Sequence, residues 1–342
     1  MRYKTYVKAK DYSMKNVLPA FREVQKEYAL DKDNMFYKYG EALAYCGNSK
    51  IVSVCQDCHT SYYNGAYMCK NRFCPVCQKQ KSLILFSKVY PKILELMDKG
   101  YYVNVMTFTI KDTENLKLGI KLLKTAYRNI THSSQKTREV YSNMFIGGIK
   151  SLEVKRGKNS NLWHPHFHAL VIKDKFSKDH ECLNTLWNKE LRRLVNDSDE
   201  TIYEDKFYVD EKLGNVWISN LNTANSKTKV KAVYECIKYI TKYEVNDLVH
   251  DLKELVYGLK GIRSVDSWGV LRGIEKDAEE QELSPISVKD LVCKECGSVA
   301  LTILDGITIE ELENLGISTE FKDFETKENR YDEEEFWYKY FA

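Results

Sequence analysis

Three of the seven histidines of the chain stand at alternate positions in one short segment, as His164, His166 and His168. On a β-strand this spacing places all three side chains on one face, whereas a helix would distribute them around its axis. The apolar run 169–172 contains β-branched residues, which favour a strand. Imidazoles that converge from one strand suit a divalent metal ion. We therefore predict a strand over residues 162–172 with a metal site on its histidine face; histidines packed only for shape are the alternative.

The segment before this strand contributes a carboxylate. Residues 144–154 are predicted to form a strand, and the turn-rich connection that follows predicts a β-hairpin. If Glu153 faces His166, then Ser151 faces His168, and the Glu153 carboxylate becomes a candidate third metal ligand. A shift of one residue would move Glu153 to the other face of the sheet.

Five cysteines lie close together nearer the N-terminus, namely Cys55, Cys58, Cys69, Cys74 and Cys77. Two C-x2-C pairs separated by a short linker are typical of a closed tetrahedral zinc site, because each short turn lets two thiolates reach one ion. We expect the two pairs, Cys55 with Cys58 and Cys74 with Cys77, to bind one structural zinc ion. Cys69 is an alternative ligand.

A further C-x2-C pair, Cys293 with Cys296, stands alone and supplies half of a zinc site. Cys46, Cys182 and Cys236 are distant cysteines that could complete it, but the spacing favours none of them. Disulfides would require an oxidising compartment, and the first residues of the chain lack the apolar segment of a signal peptide. Since no apolar run approaches the roughly 18 residues of a spanning helix, we expect a cytoplasmic protein without membrane association.

Charge is distributed unevenly, although the net charge is only +3. Residues 301–342 carry a net charge of −8, so the preceding 300 residues carry +11. A basic region of this size suits binding to a polyanion such as nucleic acid, since each neutralised phosphate releases counterions. The 24 tyrosines could stack on unpaired bases. Four basic residues around the second cysteine pair are candidate nucleic-acid contacts, with a solvated turn as the alternative: Lys70, Arg72, Lys79 and Lys81.

A second group of reactive side chains lies in residues 229–243, which are predicted to be helical. Glu235, Tyr239 and Tyr243 are spaced i, i+4 and i+8 and so share one helix face. A carboxylate beside a phenol indicates acid–base chemistry at the phenolic oxygen. An amphipathic helix whose tyrosines only pack is the alternative.

The order of these motifs resembles the rolling-circle plasmid replication initiators of the HUH endonuclease superfamily. It comprises the cysteine pairs, a strand with Thr-Phe-Thr at 107–109, Glu-Val and then His-Pro-His-Phe-His at 164–168, and Glu-x-x-Lys-Tyr-x-x-Lys at 235–242. The cysteine segment 69–77 and a weaker block at 261–272 also resemble that family. The resemblance implies an α+β fold with a central antiparallel sheet flanked by helices.

The resemblance also implies roles for individual residues. His166 and His168 would hold a Mn²⁺ or Mg²⁺ ion with His164 nearby. Tyr239 would be the nucleophile and Glu235 would activate water for termination. Lys242 would contact phosphate. Tyr243 is the alternative nucleophile, since a pair of tyrosines at this spacing resembles the tyrosine pair of two-tyrosine HUH enzymes.

The implied function is site-specific nicking and rejoining of one DNA strand at a replication origin, through a 5′-phosphotyrosine intermediate. The expected partners are single-stranded or hairpin origin DNA and the host replicative helicase and polymerase, and an oligomer is compatible with the sequence. We divide the chain into an N-terminal region with the zinc unit (1–97), a catalytic domain (98–275) and an acidic C-terminal extension (276–342). A transposase or relaxase with the same chemistry, and a non-catalytic zinc DNA-binding regulator, are the alternatives.

Overall fold

The computed structural model describes residues 3–27, 34–131, 145–174, 180–197, 212–238, 247–276 and 292–323. The chain forms two compact units, one of residues 1–80 together with 282–342 and the other of residues 81–281. The N-terminal region and the C-terminal extension, which the sequence analysis separates, therefore contribute to one unit.

The elements of the described residues alternate irregularly between helix and strand. The helices are α1 (Tyr3–Tyr12), α2 (Leu18–Glu27), α3 (Met35–Tyr45), α4 (Pro75–Asp98), α5 (Leu116–Thr131), α6 (His180–Asn196), α7 (Ser226–Ile237), α8 (Leu248–Gly258) and α9 (Ile309–Asn314), with a π-helical turn (Ser13–Val17) between α1 and α2. The strands are β1 (Lys50–Cys55), β2 (Ser61–Ala66), β3 (Tyr102–Ile110), β4 (Gly147–Arg156), β5 (Trp163–Lys173), β6 (Gly214–Asn220), β7 (Val265–Gly269), β8 (Leu301–Ile307) and β9 (Lys322–Asp323).

The first unit contains a sheet with the strand order β8-β1-β2-β9. Strands β1 and β2 form an antiparallel hairpin, and β8 pairs antiparallel with the free edge of β1 so that Cys55 lies opposite Leu301. Strand β9 adds to β2 in parallel, with Tyr62 opposite Lys322. Part of the acidic C-terminal segment is therefore a component of the N-terminal sheet.

The second unit is built on a five-stranded sheet with the order β6-β3-β5-β4-β7, in which every neighbouring pair is antiparallel. The predicted α+β class, with an antiparallel sheet flanked by helices, is confirmed. The histidine strand β5 is the central strand, which gives it hydrogen-bonded neighbours on both sides. A central strand is held more rigidly than an edge strand and is a suitable base for precisely placed ligands.

The two faces of this sheet have different chemistry because successive side chains of a strand point in opposite directions. On one face Phe167 packs edge-to-face against Tyr127 of α5, and Phe108 packs against Trp187 of α6, which makes this side the main apolar core. The opposite face carries the alternate residues of β5, including the histidines. Helix α7 packs across that face over β4 and β5.

A buried ion pair joins the end of β4 to α8. The guanidinium of Arg156 makes two contacts with the Asp251 carboxylate, and it stacks 3.7 Å from the ring centroid of Trp163. Only 4% of the Asp251 side chain is exposed. Burial alone would raise the pKa of Asp251, but the hydrogen bonds from Arg156 and His250 lower it. The pair therefore stabilises the fold above the unfolded pKa of about 3.9 and loses this effect as the pH falls below it.

We predict that Asp251→Asn lowers the free energy of unfolding by about 3–5 kcal/mol at pH 7, because Arg156 keeps its buried charge without a counterion. Urea unfolding followed by tryptophan fluorescence measures the change. The difference from the wild type should shrink below about pH 4, where the wild-type carboxylate becomes protonated. Asp197→Asn is the control, since the Asp197 pair with Arg193 is exposed and its loss should have little effect. Equal losses in the two variants would contradict the prediction.

Candidate metal centre

The β4–β5 hairpin brings a carboxylate and two imidazoles to one face of the sheet. Glu153 lies opposite His166, and Ser151 lies opposite His168. The predicted register is therefore confirmed. The connection between the strands contains Asn161 in the left-handed region with φ 54°, a conformation that asparagine adopts more readily than most residues.

The three side chains converge on one point. Glu153 Oε2 lies 3.0 Å from His166 Nε2 and 2.8 Å from His168 Nε2. One ligand atom from each residue lies within 4.8 Å of the others, so the group could hold a metal ion. Two imidazole nitrogens and one carboxylate oxygen form a mixed N/O ligand set that suits several divalent cations.

The Nδ1 atoms of His166 and His168 each contact a hydrogen-bonding partner. His166 Nδ1 lies 3.2 Å from the carbonyl oxygen of His164, which can only accept a hydrogen bond, so this nitrogen must carry the proton. His168 Nδ1 lies 3.1 Å from Thr107 Oγ1 on strand β3. With Nδ1 protonated, the nitrogen of His166 that can bind an ion is Nε2, which lies on the side of the Glu153 carboxylate. Anchoring of this kind is typical of metal-binding histidines, because it fixes the tautomer and the ring orientation.

The electrostatics of the group also match the needs of a metal site. Burial lowers the pKa of His166 and outweighs the opposing effect of Glu153, so the imidazole is neutral at pH 7. Burial alone would raise the pKa of Glu153, but its contacts with the rings of His166 and His168 and the charge of Lys238 hold it well below its usual range. An ionised Glu153 carboxylate beside a neutral His166 imidazole is the protonation state that a metal ion requires of these two ligands.

His164 differs from the other two histidines. Its Nδ1 lies 2.6 Å from Asp112 Oδ1, and it is not part of the converging group. The carboxylate of Asp112 also accepts a hydrogen bond from Ser160 in the hairpin connection. Asp112 was not among the predicted site residues, because nothing in its local sequence marks it as a partner of a histidine about 50 residues away.

Lys238, the residue after helix α7, contacts the Glu153 carboxylate. Its Nζ lies 3.3 Å from Glu153 Oε1 and 2.7 Å from Glu235 Oε2. Burial alone would lower the pKa of Lys238, but the two carboxylates raise it above its usual value, so the ammonium stays charged. Glu235 therefore reaches the Glu153 carboxylate through Lys238, and the backbone carbonyl of Glu235 accepts a hydrogen bond from Ser151 Oγ at 3.4 Å.

Helix α7 is shorter than predicted. It ends at Ile237, and Lys238 has the extended dihedral angles φ −61° and ψ 132°. The predicted helix over residues 229–243 is therefore interrupted at Lys238, and its part from residue 239 onward lies outside the described residues. Three candidate residues, Tyr239, Lys242 and Tyr243, lie outside the described residues.

An exposed aromatic side chain shares the histidine face. Thr107 of β3 pairs with His168 on one side and with Trp217 of β6 on the other, so these three residues form one row across the sheet. The Trp217 side chain is 68% exposed, which is unusual for so large an apolar group. The sequence analysis did not identify Trp217, because its importance depends on which strand lies beside β3.

The cysteines form two groups rather than the predicted one. Cys46, Cys69, Cys74 and Cys77 are one group, and Cys55, Cys58, Cys293 and Cys296 are the other. The expected set that combined Cys55 and Cys58 with Cys74 and Cys77 is therefore wrong. Either group could hold a metal ion such as zinc, since four thiols suit tetrahedral zinc.

Four basic residues were predicted to contact nucleic acid near the second cysteine pair. Lys70 is exposed, whereas the side chains of Arg72, Lys79 and Lys81 are partly buried. Their contact with nucleic acid stays a prediction. Separately, none of the helices in the described part of the chain combines the length and the apolar character that crossing a bilayer requires.

Comparison with known proteins identifies relatives. A family model described as Replication protein (Rep_1) matches residues 61–301. A protein named Protein rep from Lactiplantibacillus plantarum is 24% identical over 234 residues, which cover 66% of this chain and 70% of the relative. Another Protein rep, from a Bacillus species, is 26% identical over 249 residues, which cover 66% of this chain and 77% of the relative.

A third relative, Protein rep of Streptococcus pneumoniae serotype 2 (strain D39 / NCTC 7466), is 27% identical over 112 residues, or 31% of this chain and 33% of the relative. No solved structure matches the chain. The family model covers well over half of the sequence and includes both the histidine strand and most of the cysteines. The chain therefore belongs to the Replication protein family.

Proposed function

We propose that the protein initiates rolling-circle replication of a plasmid by nicking and later rejoining one strand of its origin DNA. The observation that carries the proposal is the convergence of Glu153, His166 and His168 on one face of the central sheet, in a chain of the Replication protein family. The resemblance to HUH endonucleases supports the same chemistry. The wider biology, including recruitment of a host helicase and polymerase and any oligomer, is part of this proposal.

The metal ligands would be Glu153, His166 and His168, and Mn²⁺ or Mg²⁺ are the proposed ions. The neutral His166 imidazole, the ionised Glu153 carboxylate and the Nδ1 contacts of both histidines fit such an ion. When bound, the ion would polarise a non-bridging oxygen of the scissile phosphate and stabilise the charge that develops on it. Lys238 would keep the Glu153 carboxylate oriented toward the histidines.

Tyr239 is the proposed nucleophile. Its phenolic oxygen would give up its proton and bond to phosphorus while the bond from phosphorus to the 3′-oxygen breaks, and the departing 3′-oxygen would take up one proton in exchange. The products are a 5′-phosphotyrosine link and a free 3′-hydroxyl that can prime DNA synthesis. Tyr239 directly follows Lys238 in the chain, and the Lys238 ammonium contacts the Glu153 carboxylate, which supports this assignment. Lys242 would contact a phosphate oxygen, and Tyr243 is the alternative nucleophile.

Glu235 is the proposed base that activates water when replication terminates. We expect Glu235→Ala to spare the first nicking event but to change the products of termination, because water loses its general base whereas Tyr239 remains. A termination assay with a regenerated origin strand, analysed on a denaturing gel, compares the products. Glu235→Gln is the matched variant, since it keeps the size and hydrogen-bonding capacity of the side chain. Unchanged termination products in both variants would remove the proposed role.

Trp217 is a proposed stacking platform for an unpaired base, since it is exposed in the same row of the sheet as His168. Base stacking on an aromatic side chain contributes about 1–3 kcal/mol, so Trp217→Ala should raise the Kd for single-stranded origin DNA by about 5–150-fold. Fluorescence anisotropy with a labelled oligonucleotide measures this change. Trp217→Phe should restore most of the affinity, and an unaltered Kd for Trp217→Ala would contradict the prediction.

The overall proposal is tested by incubating the full chain with tiled single-stranded oligonucleotides from the plasmid origin and Mn²⁺ or Mg²⁺. A protein–DNA species that survives a denaturing gel is the expected result, and it should form with one tile and disappear when a chelator is added. DNA binding without any strand cleavage would instead identify a non-catalytic zinc regulator. Preference for the ends of a mobile element over an origin would identify a transposase or relaxase.

A further inference from the structure

The second cysteine group joins two distant parts of the sequence. Cys55 and Cys58 belong to the end of strand β1 and the turn after it, whereas Cys293 and Cys296 lie more than 230 residues later in the chain. We infer that this group binds a zinc ion of its own, and that the ion fastens the segment 292–323 to the N-terminal sheet. The inference concerns the first unit and does not depend on the proposed function.

The sulfur positions suit one shared ion. Cys55 Sγ lies 3.5 Å from Cys296 Sγ, and Cys58 Sγ lies 3.4 Å from Cys293 Sγ. All four sulfur atoms lie within 4.8 Å of one another. Tetrahedral Zn–S bonds of about 2.3 Å place neighbouring sulfur atoms about 3.8 Å apart, whereas a disulfide bond is only about 2.05 Å long. The observed distances therefore correspond to a tetrahedral S4 site.

The two C-x2-C segments form matching turns. The N–H of His59 donates to the carbonyl oxygen of Cys55 at 3.0 Å, and the N–H of Gly297 donates to that of Cys293 at 2.8 Å. The residue after each second cysteine has a positive φ, 56° at His59 and 74° at Gly297. Each turn directs both of its thiols to the same side, and the left-handed residue reverses the chain immediately afterwards. The two turns therefore have the same conformation, and each supplies two cysteine ligands.

Hydrogen-bonding groups surround the sulfur atoms. The Tyr62 hydroxyl lies 3.2 Å from Cys293 Sγ and accepts a hydrogen bond from the N–H of Lys294 at 2.9 Å, so its own proton is available to the sulfur. The Thr60 hydroxyl lies 3.2 Å from Cys58 Sγ. Donors of this kind stabilise thiolates in metal sites. Cys293 and Tyr62 are fully buried with Cys55, which places this side of the group in a small core.

The pairing of strands β1 and β8 begins next to the cysteine group. Cys55 is opposite Leu301 at the start of the β1–β8 ladder, and Gln56 Nε2 donates to Thr302 Oγ1 at 2.7 Å. A zinc ion at this end would hold the two strands in register from their first residue pair. Because it closes a loop of more than 230 residues, it would also remove much of the entropy that the free segment gains by detaching.

The zinc content of the full chain tests this inference. We expect Cys293→Ser/Cys296→Ser to hold one zinc ion less per chain than the wild type, measured by atomic emission after dialysis. Cys182→Ser is the control and should leave the zinc content unchanged, because Cys182 belongs to neither group. The same zinc content in the double variant and the wild type would overturn the inference.

Two measurements on the wild-type chain keep the test valid if the double variant fails to fold. Cys58 and Cys296 are exposed, so as free thiols they would react quickly with iodoacetamide. We expect mass spectrometry to find both protected until a strong chelator removes zinc, and hydrogen exchange of the β8 amides to rise at least tenfold after chelation while β3 amides stay unchanged. Rapid alkylation of the untreated protein, or unaltered β8 exchange after complete zinc removal, would overturn the inference.

Discussion

Replacement of Tyr239 by phenylalanine is expected to abolish the covalent protein–DNA adduct, lowering its rate of formation by at least about 10³-fold. The variant keeps the ring and loses only the oxygen that would bond to phosphorus, so DNA binding should be nearly unchanged. A radiolabelled origin oligonucleotide, incubated with the full chain and Mn²⁺, measures the adduct on a denaturing gel. Fluorescence anisotropy with the same oligonucleotide confirms that the variant still binds.

Tyr243→Phe is the matched control, because it makes the same chemical change four residues later in the sequence. This variant should form the adduct at close to the wild-type rate. Adducts that persist in Tyr239→Phe and disappear in Tyr243→Phe would transfer the nucleophile to Tyr243. Loss of the adduct in both variants would indicate a two-tyrosine mechanism in place of the single nucleophile.

Replacement of His166 by alanine is expected to weaken Mn²⁺ binding by at least about 100-fold and to lower nicking correspondingly, because one of three protein ligands is removed. We expect the variant to lose metal binding while it keeps its fold. Electron paramagnetic resonance measures the Mn²⁺ that stays free in solution and so reports binding directly. Circular dichroism of the variant should match the wild type. Raising the Mn²⁺ concentration should restore part of the nicking activity.

His164→Ala tests whether metal binding depends only on the converging group of Glu153, His166 and His168. His164 stands two residues before His166 on the same face, but its ring faces Asp112, so its removal should leave Mn²⁺ affinity within a few-fold of the wild type. Thr107→Val should have an intermediate effect of about 10–100-fold, since it removes only the anchor of His168. Equal losses for His164→Ala and His166→Ala would contradict a site formed by Glu153, His166 and His168.

The convergence of Glu153, His166 and His168 could be predicted from the sequence because its determinants are local, whereas His164, which the same alternation included, contacts Asp112 instead. Alternation alone places His166 and His168 on one face of a strand. The turn-rich connection before them makes an antiparallel hairpin the simplest topology, and only one register brings Glu153 opposite His166. The structure has that register, so the β4–β5 hairpin followed from residues that are close in sequence, whereas the wider antiparallel sheet was implied by the family resemblance.

The cysteine groups could not be assigned from sequence because their partners are set by long-range strand pairing. Cys55 and Cys58 are near Cys74 and Cys77 in the sequence, which favoured a single site. In the structure the partner pair of Cys55 is chosen by the pairing of β1 with β8, which no local pattern specifies. The helical periodicity of residues 229–243 likewise could not predict where the helix ends, because the pattern continues past Ile237, the last residue of α7.

Phosphorothioate substitution at the scissile linkage tests most directly whether the group of Glu153, His166 and His168 acts on a DNA phosphate through a bound ion. The linkage is first located with the tiled oligonucleotides, and one non-bridging oxygen is then replaced by sulfur. Since Mg²⁺ prefers oxygen ligands and Mn²⁺ accepts sulfur more readily, nicking of one diastereomer should fall at least about 10-fold in Mg²⁺ and recover in Mn²⁺. Equal nicking of both diastereomers and the unmodified strand in Mg²⁺ would contradict the proposed metal contact.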